Sequence, residues 1–239
     1  MTPPLAILRW DVVLQARNGF YWATAFLVVV VGGLLLAVPE VVRTNSSVWV
    51  PALIAVNMQT TTFFFVAGLM LLERDEGTLA ALAVSPLSAG DYLAARTLTL
   101  TALAGIETLA LVWMAFEVRG AWLAIVAGTA AVGVIYTAFG AAITTRYESV
   151  NRLLLPASVV VMLLLLPLLP HFEFGPRWPM LVHPIEPALT LMRAGYGVGG
   201  NADLAFGIAG SLVWCAIAFW WGRRCVDRLM RDARVRGGR

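Results

Sequence analysis

The chain has no lysine, two cysteines, two histidines and little charge of either sign: 13% of its 239 residues are charged. Each shortage excludes something. A phosphate-cradling P-loop needs a lysine to reach the phosphates, so this chain carries no ATPase of that kind. Cys215 lies in an apolar run and Cys225 beside Arg223 and Arg224, which gives neither a disulfide framework nor a four-ligand zinc site. His171 and His183 fall in one mixed stretch and read as loop residues. No GxSxG elbow, HExxH pair or EF-hand loop occurs. A membrane-embedded enzyme would have no motif to work with, and no cofactor is expected. Soluble domains carry roughly 25% charged residues. Half that fraction, with 60% hydrophobic residues and a mean hydropathy of +0.81, is too few charges to coat a water-facing surface. The lipid bilayer is the solvent that fits. A net charge of +3 does not call for nucleic acid, because the arginines gather at segment ends and in the tail.

What the sequence does have is long apolar runs. A membrane helix needs about 20 predominantly apolar residues, and six segments qualify: 20–38, 48–72, 97–116, 122–145, 153–169 and 204–221. Trp22, Trp49, Trp122, Trp220 and Trp221 sit near their ends, at headgroup level. Residues 1–19 mix Arg9, Asp11, Gln15 and Arg17 among apolar positions, unlike a secretory signal and like an interfacial helix. The expected fold is a single all-α domain of six transmembrane helices, with 222–239 as a basic tail. With six spans, one side holds Arg9, Arg17, Arg74, Arg96, Arg146, Arg152 and seven tail arginines. The other holds only Arg43, Arg119, Arg177 and Arg193. Thirteen against four puts both termini in the cytoplasm by the positive-inside rule. Segment 171–203 is then external, and its "PIEPALTLMRAG" predicts a short helix with Pro184 or Pro187 near its start, lying at the outer surface or re-entering shallowly before span six.

Segment 73–96, "ERDEGTLAALAVSPLSAGDYLAAR", interrupts this pattern between spans two and three. Glu73, Asp75 and Glu76 suit the first turn of a helix, whose positive dipole end favours anions by roughly 0.3–1 kcal/mol each. Leu79, Leu82 and Ala83 form one apolar stripe. Pro86 stops that helix, and Ser88 with Asp91 three residues on resembles a capping box for the next. A plain connection would be a few residues long; this one is punctuated at both ends, as a docking element would be.

The same residues resemble the signature of ABC-2 type transporter permeases. Glu73, Glu76, Gly77, Thr78, Leu79, Leu82, Ser85, Pro86, Tyr92, Leu93 and Arg96 fall on its pattern, with Arg96 where lysine is commoner. The likeness extends to the layout: an interfacial helix, six spans, cytoplasmic termini and a short helical element before span six. It implies a permease subunit of an ATP-driven exporter, paired with a second permease copy and seated on a separate ABC ATP-binding subunit. Segment 73–96 would then be the cytoplasmic coupling segment. Glu73, Glu76 and Gly77 would form the contact or the turn, and Leu79 and Leu82 would pack the helix on the bundle.

Glu107 lies in the middle of span three, where a carboxylate costs roughly 2.5–3.5 kcal/mol on insertion scales. Two roles fit it: a contact for a cationic cargo, or a hydrogen bond to Asn57, Gln59 or Thr60 of span two. Some fluoroquinolone-exporting members of the family have a similar glutamate. Pro156 and Pro167 read as kinks of span five, and "RYESVNR" as a short charged turn. Two rival functions share these features. A haem-exporter-like permease shares the acidic-Gly-Leu-Pro pattern but shows no haem-ligand pattern here. A proton-coupled secondary transporter could use Glu107 but lacks the internal repeat many such folds show.

Overall fold

The computed structural model describes residues 3–85, 87–116 and 122–237. Pro86, Arg119 and the side chain of Ala83 lie outside what it describes. Among the described residues every regular element is helical, as the runs of Leu, Val and Ala lead one to expect. The chain order is α1 (Pro3–Arg17), α2 (Phe20–Leu36), α3 (Glu40–Thr44), α4 (Ser46–Asp75), α5 (Thr78–Val84) and α6 (Ala89–Ala115). There follow α7 (Trp122–Thr144), α8 (Val150–Leu164), α9 (Leu168–His171), a 3₁₀ turn at Trp178–Val182, α10 (Glu186–Gly195) and α11 (Asn201–Gly237).

Four of these, α4, α6, α7 and α11, are long and apolar enough to cross a membrane. A fifth span is reached if α1 and α2, bent by 63° at the left-handed Gly19, count as one. The remaining candidate, 153–169, is corrected: α8 runs from Val150 only to Leu164. A proline disfavours helical backbone in the residue before it, so the chain turns at 165–167 and Pro167 falls outside the helix rather than kinking it. Pro156 does lie within α8. Span three is corrected in the other direction. It is one helix from Ala89, so the last third of the 73–96 insert belongs to it. At about 1.5 Å per residue, α11 is about 55 Å long, and its basic tail is helix rather than loose chain. Arg224 lies over the Trp220 ring at 3.9 Å, a cation–π contact that holds the guanidinium against the helix.

The core is centred on α7, which α4, α6, α10 and α11 surround. The expected short helix before span six is present as α10, with Pro187 rather than Pro184 in its first turn, and it is packed into the bundle. Residues Glu186 to Met192 are all buried, wedged against α4, α7 and α11. Glycines admit it. A Cβ at Gly207 would sit 2.8 Å from the Leu191 backbone, and one at Gly210 would sit 2.7 Å from Pro187. Arg177 ties the preceding loop down through Glu186 (2.6 Å), Thr190 (2.6 Å) and Asp203 (3.1 Å). His171 Nε2 donates to the Val48 carbonyl at 2.7 Å, and His183 Nε2 to the Leu163 carbonyl at 3.0 Å.

Candidate functional site

Two polar clusters stand out in this apolar frame. The first lies where α4 gives way to α5. The helix that began as span two does not stop at Leu72 but runs on to Asp75. Glu73 and Asp75 therefore occupy a last helical turn, not the first turn of the next helix. Leu69, Met70 and Glu73 share a buried side, and packing there outweighs the small dipole preference. Gly77 makes the break, with φ at +71° and open space around it. Only glycine adopts that backbone without strain. Glu76 is exposed at the helix end.

The short helix α5 then lies across α11 and the end of α4. Thr78 Oγ1 donates to the Glu73 carbonyl at 3.1 Å, covering one of the free carbonyls of the preceding helix. Leu79 is buried and Leu82 packs against the same apolar cluster. Ser85 closes α5, donating to the Leu82 carbonyl at 2.7 Å and accepting from Leu87 N–H. Ser88 caps α6 as expected, accepting from Asp91 N–H at 3.1 Å and donating to its carboxylate at 2.6 Å.

Glu73 itself is 1% exposed. It accepts from Tyr92 OH at 2.5 Å and pairs with Arg96 Nη2. Arg96, 2% exposed, also meets Asp11 at 2.9 Å. Asp11 in turn accepts from Gln15 Nε2 (3.0 Å) and from Thr99 Oγ1. One node thus joins α1, α4 and α6. Helix α1 is amphipathic in an inverted sense: Asp11, Leu14 and Gln15 face the protein, while Trp10, Val12 and Val13 face outward. A buried ion pair adds little net stability, but losing one partner strands the other, so the node holds these three elements in one register. Asp11, Gln15 and Thr99 were not singled out from the sequence. The signal available was the i, i+4 spacing of Asp11 and Gln15 on one helical face.

The second cluster lies between α4 and α6, within their apolar lengths. Glu107, 2% exposed, accepts from Asn57 Nδ2 at 3.1 Å and from Thr61 Oγ1 at 2.8 Å. Asn57 also reaches Thr108 Oγ1 at 2.8 Å. Of the partners expected from span two Asn57 is present, but Thr61 takes the place of Gln59 or Thr60. The cause is local: residues Gln59–Phe64 form a π-helix inside α4, which widens the turn and resets which side chains face α6. Single-turn π segments are frequent at functional sites. No basic residue is paired with Glu107 among the described contacts. Metal-holding groups of His, Cys, Asp or Glu are absent among the described residues.

The sequence profile of the fluoroquinolones export permease protein family matches residues 3–233. Two curated relatives are fluoroquinolones export permease proteins of Mycobacterium tuberculosis, from strains CDC 1551 / Oshkosh and ATCC 25618 / H37Rv. Each is 28% identical over 202 residues, covering 82% of this chain and 82% of its own length.

Proposed function

The chain belongs to the fluoroquinolones export permease protein family, and from that premise we propose that it is the membrane-spanning subunit of an ATP-driven exporter. Its cargo is a hydrophobic or amphipathic molecule of the kind its relatives' name states. ATP is hydrolysed by a separate ATP-binding subunit, since this chain has no lysine for a P-loop. Two permease copies assemble, each with six spans and both termini in the cytoplasm of the inner membrane. On this reading α1–α2 provide span one, and the short α8 with the turn after it provides span five.

The observation that carries the reading is α5. It is a free-standing helical turn, set between the left-handed Gly77 and the Ser85 stop, and packed on α11 and the end of α4. An element joined in this way to two spans can convert a push from a docked partner into a shift of the bundle. Glu76 is exposed at its head for a partner to reach, and the Arg96 node beneath keeps its base rigid. Glu107 and Asn57 lie on the cargo pathway in this account, at a π segment that can rearrange. Co-purification with the ATP-binding subunit tests the docking role. Glu76→Arg or Gly77→Val should weaken that pairing while the chain still inserts and folds; undiminished pairing would rule out α5 as the contact.

A further inference from the structure

Beside the Asp11–Arg96–Glu73 node lies a cavity of about 290 Å³. Its wall is formed by Trp10 of α1, Leu82 of α5, Leu87 of the following turn and Ala95 of α6; its floor is Asp11, Glu73 and Arg96. Trp10 is 46% exposed at its edge. The floor sets two carboxylates against one guanidinium. Its other hydrogen-bond partners, Tyr92, Gln15 and Thr99, are neutral. When all three charged groups are ionised, one negative charge is in excess. Beneath an apolar wall that charge is far less screened than it would be at an open surface. Of the other basic groups on these elements, Arg74 donates to the Tyr147 carbonyl, Arg9 and Arg17 are exposed on α1, and Arg223 of α11 lies alongside Gly90 of α6.

We propose that this cavity binds an amphipathic monocation. Its apolar body lies against Trp10 and Leu87, and its charge is drawn by the excess carboxylate and the Trp10 ring face. The exporter reading supplies only the cavity's place in the transport cycle: a cytoplasmic-side site that cargo occupies before translocation, in contact with the coupling helix through Leu82. An apolar pocket with a few convergent polar groups is the usual form of a small-molecule site. Here the charge imbalance adds selection by sign.

The test uses the purified full chain in nanodiscs, without nucleotide or partner subunit, titrated calorimetrically with two probes. Tetraphenylphosphonium is the cation, and triphenylphosphine oxide is a neutral molecule carrying the same aryl groups. The cation should bind about tenfold or more tightly than the oxide, one unpaired charge being worth at least that in a poorly screened site. Asp11→Asn leaves Arg96 and Glu73 as a balanced pair and keeps an acceptor for Gln15 and Thr99. It should bring the two affinities together, with oxide binding unchanged. Leu87→Trp, on the turn before α6, should fill the cavity and abolish binding of both. Equal affinities in the unmodified chain, a preference untouched by Asp11→Asn, or full binding in Leu87→Trp would each overturn the proposal. Because no partner is present, failure here is distinct from failure of the docking reading, which the co-purification decides.

Discussion

At the scale of single residues, two of the buried carboxylates, Glu73 and Glu107, are held in opposite ways. Glu73 is matched by Arg96 and Tyr92, whereas Glu107 is held only by the neutral Asn57 and Thr61. Their substitutions should therefore behave differently. Arg96→Met strands Asp11 and Glu73 without their cation and should destabilise the protein by about 3–5 kcal/mol, read as a lowered midpoint in detergent-induced unfolding. Glu107→Gln keeps an acceptor for Asn57 and should leave that midpoint nearly unchanged, while altering which compounds are exported by cells carrying the complete transporter. An unaltered cargo range would reduce Glu107 to a helix-packing residue. Glu107→Leu, by contrast, leaves Thr61 without its acceptor and Asn57 with Thr108 alone, and should cost about 1–3 kcal/mol for the stranded Thr61 hydroxyl. Outside the spans, burial holds the His171 imidazole below its ordinary 6.5, with Arg193 pushing the same way and the Val48 contact opposing. The unfolded chain therefore takes up that proton first. Stability from this contact is full above about pH 6.5 and is lost as pH falls through the lowered value. Melting temperature in nanodiscs should fall between pH 7 and 5, and His171→Gln should flatten part of that slope.

Among elements, the helices that matter most for placing the sites are those that depart from regular geometry. The π segment of α4 sets Thr61 rather than Thr60 toward Glu107, and α7 must lie close for that seam to seal. A Cβ added at Gly140 would stand 2.7 Å from the Phe63 carbonyl, inside the π segment. Gly140→Ala should thus destabilise by about 1–3 kcal/mol as an overpacked contact, and should disturb export more than an alanine at the open Gly33 does. The short α5 shows the converse case, an element of seven residues too short to be stable alone. It persists through Leu79 and Leu82 packing on α11 and the end of α4. The sequence put the start of this helix at Glu73, five residues before its Thr78 start, and its end at Pro86, outside the described residues; the Ser88 cap of the next helix is present as expected. Glu73 and Asp75 were misassigned because a helix-start preference and a helix-end packing role look alike in composition.

For the whole molecule, the bundle is organised around α7 with α10 driven into it, and the α1–α2 bend brings the first helix back over the ends of α4 and α6. The proposed topology makes a plain prediction. Reporter fusions that fluoresce only in the cytoplasm should light up when placed after Arg239 and within 76–88, and should stay dark within 117–121. A dark C-terminal fusion would mean an odd number of spans. In sealed vesicles, export should require the ATP-binding subunit; export without it would return the proton-coupled reading to favour.

Composition and hydropathy alone determined that this is an all-helical membrane chain, where its apolar segments run, and that a punctuated acidic insert divides them. Those properties are local: solvent preference and helix propensity act residue by residue, and caps and glycines act over one turn. The tertiary structure decided which polar groups meet. Asp11 reaches Arg96 across 85 residues of chain, Thr61 reaches Glu107 across 46, and α10 is packed into the bundle. Such pairings follow from helix rotation and the close approaches that glycines permit. In an apolar interior each buried polar group must find a partner, and only the packed bundle determines which one is within reach.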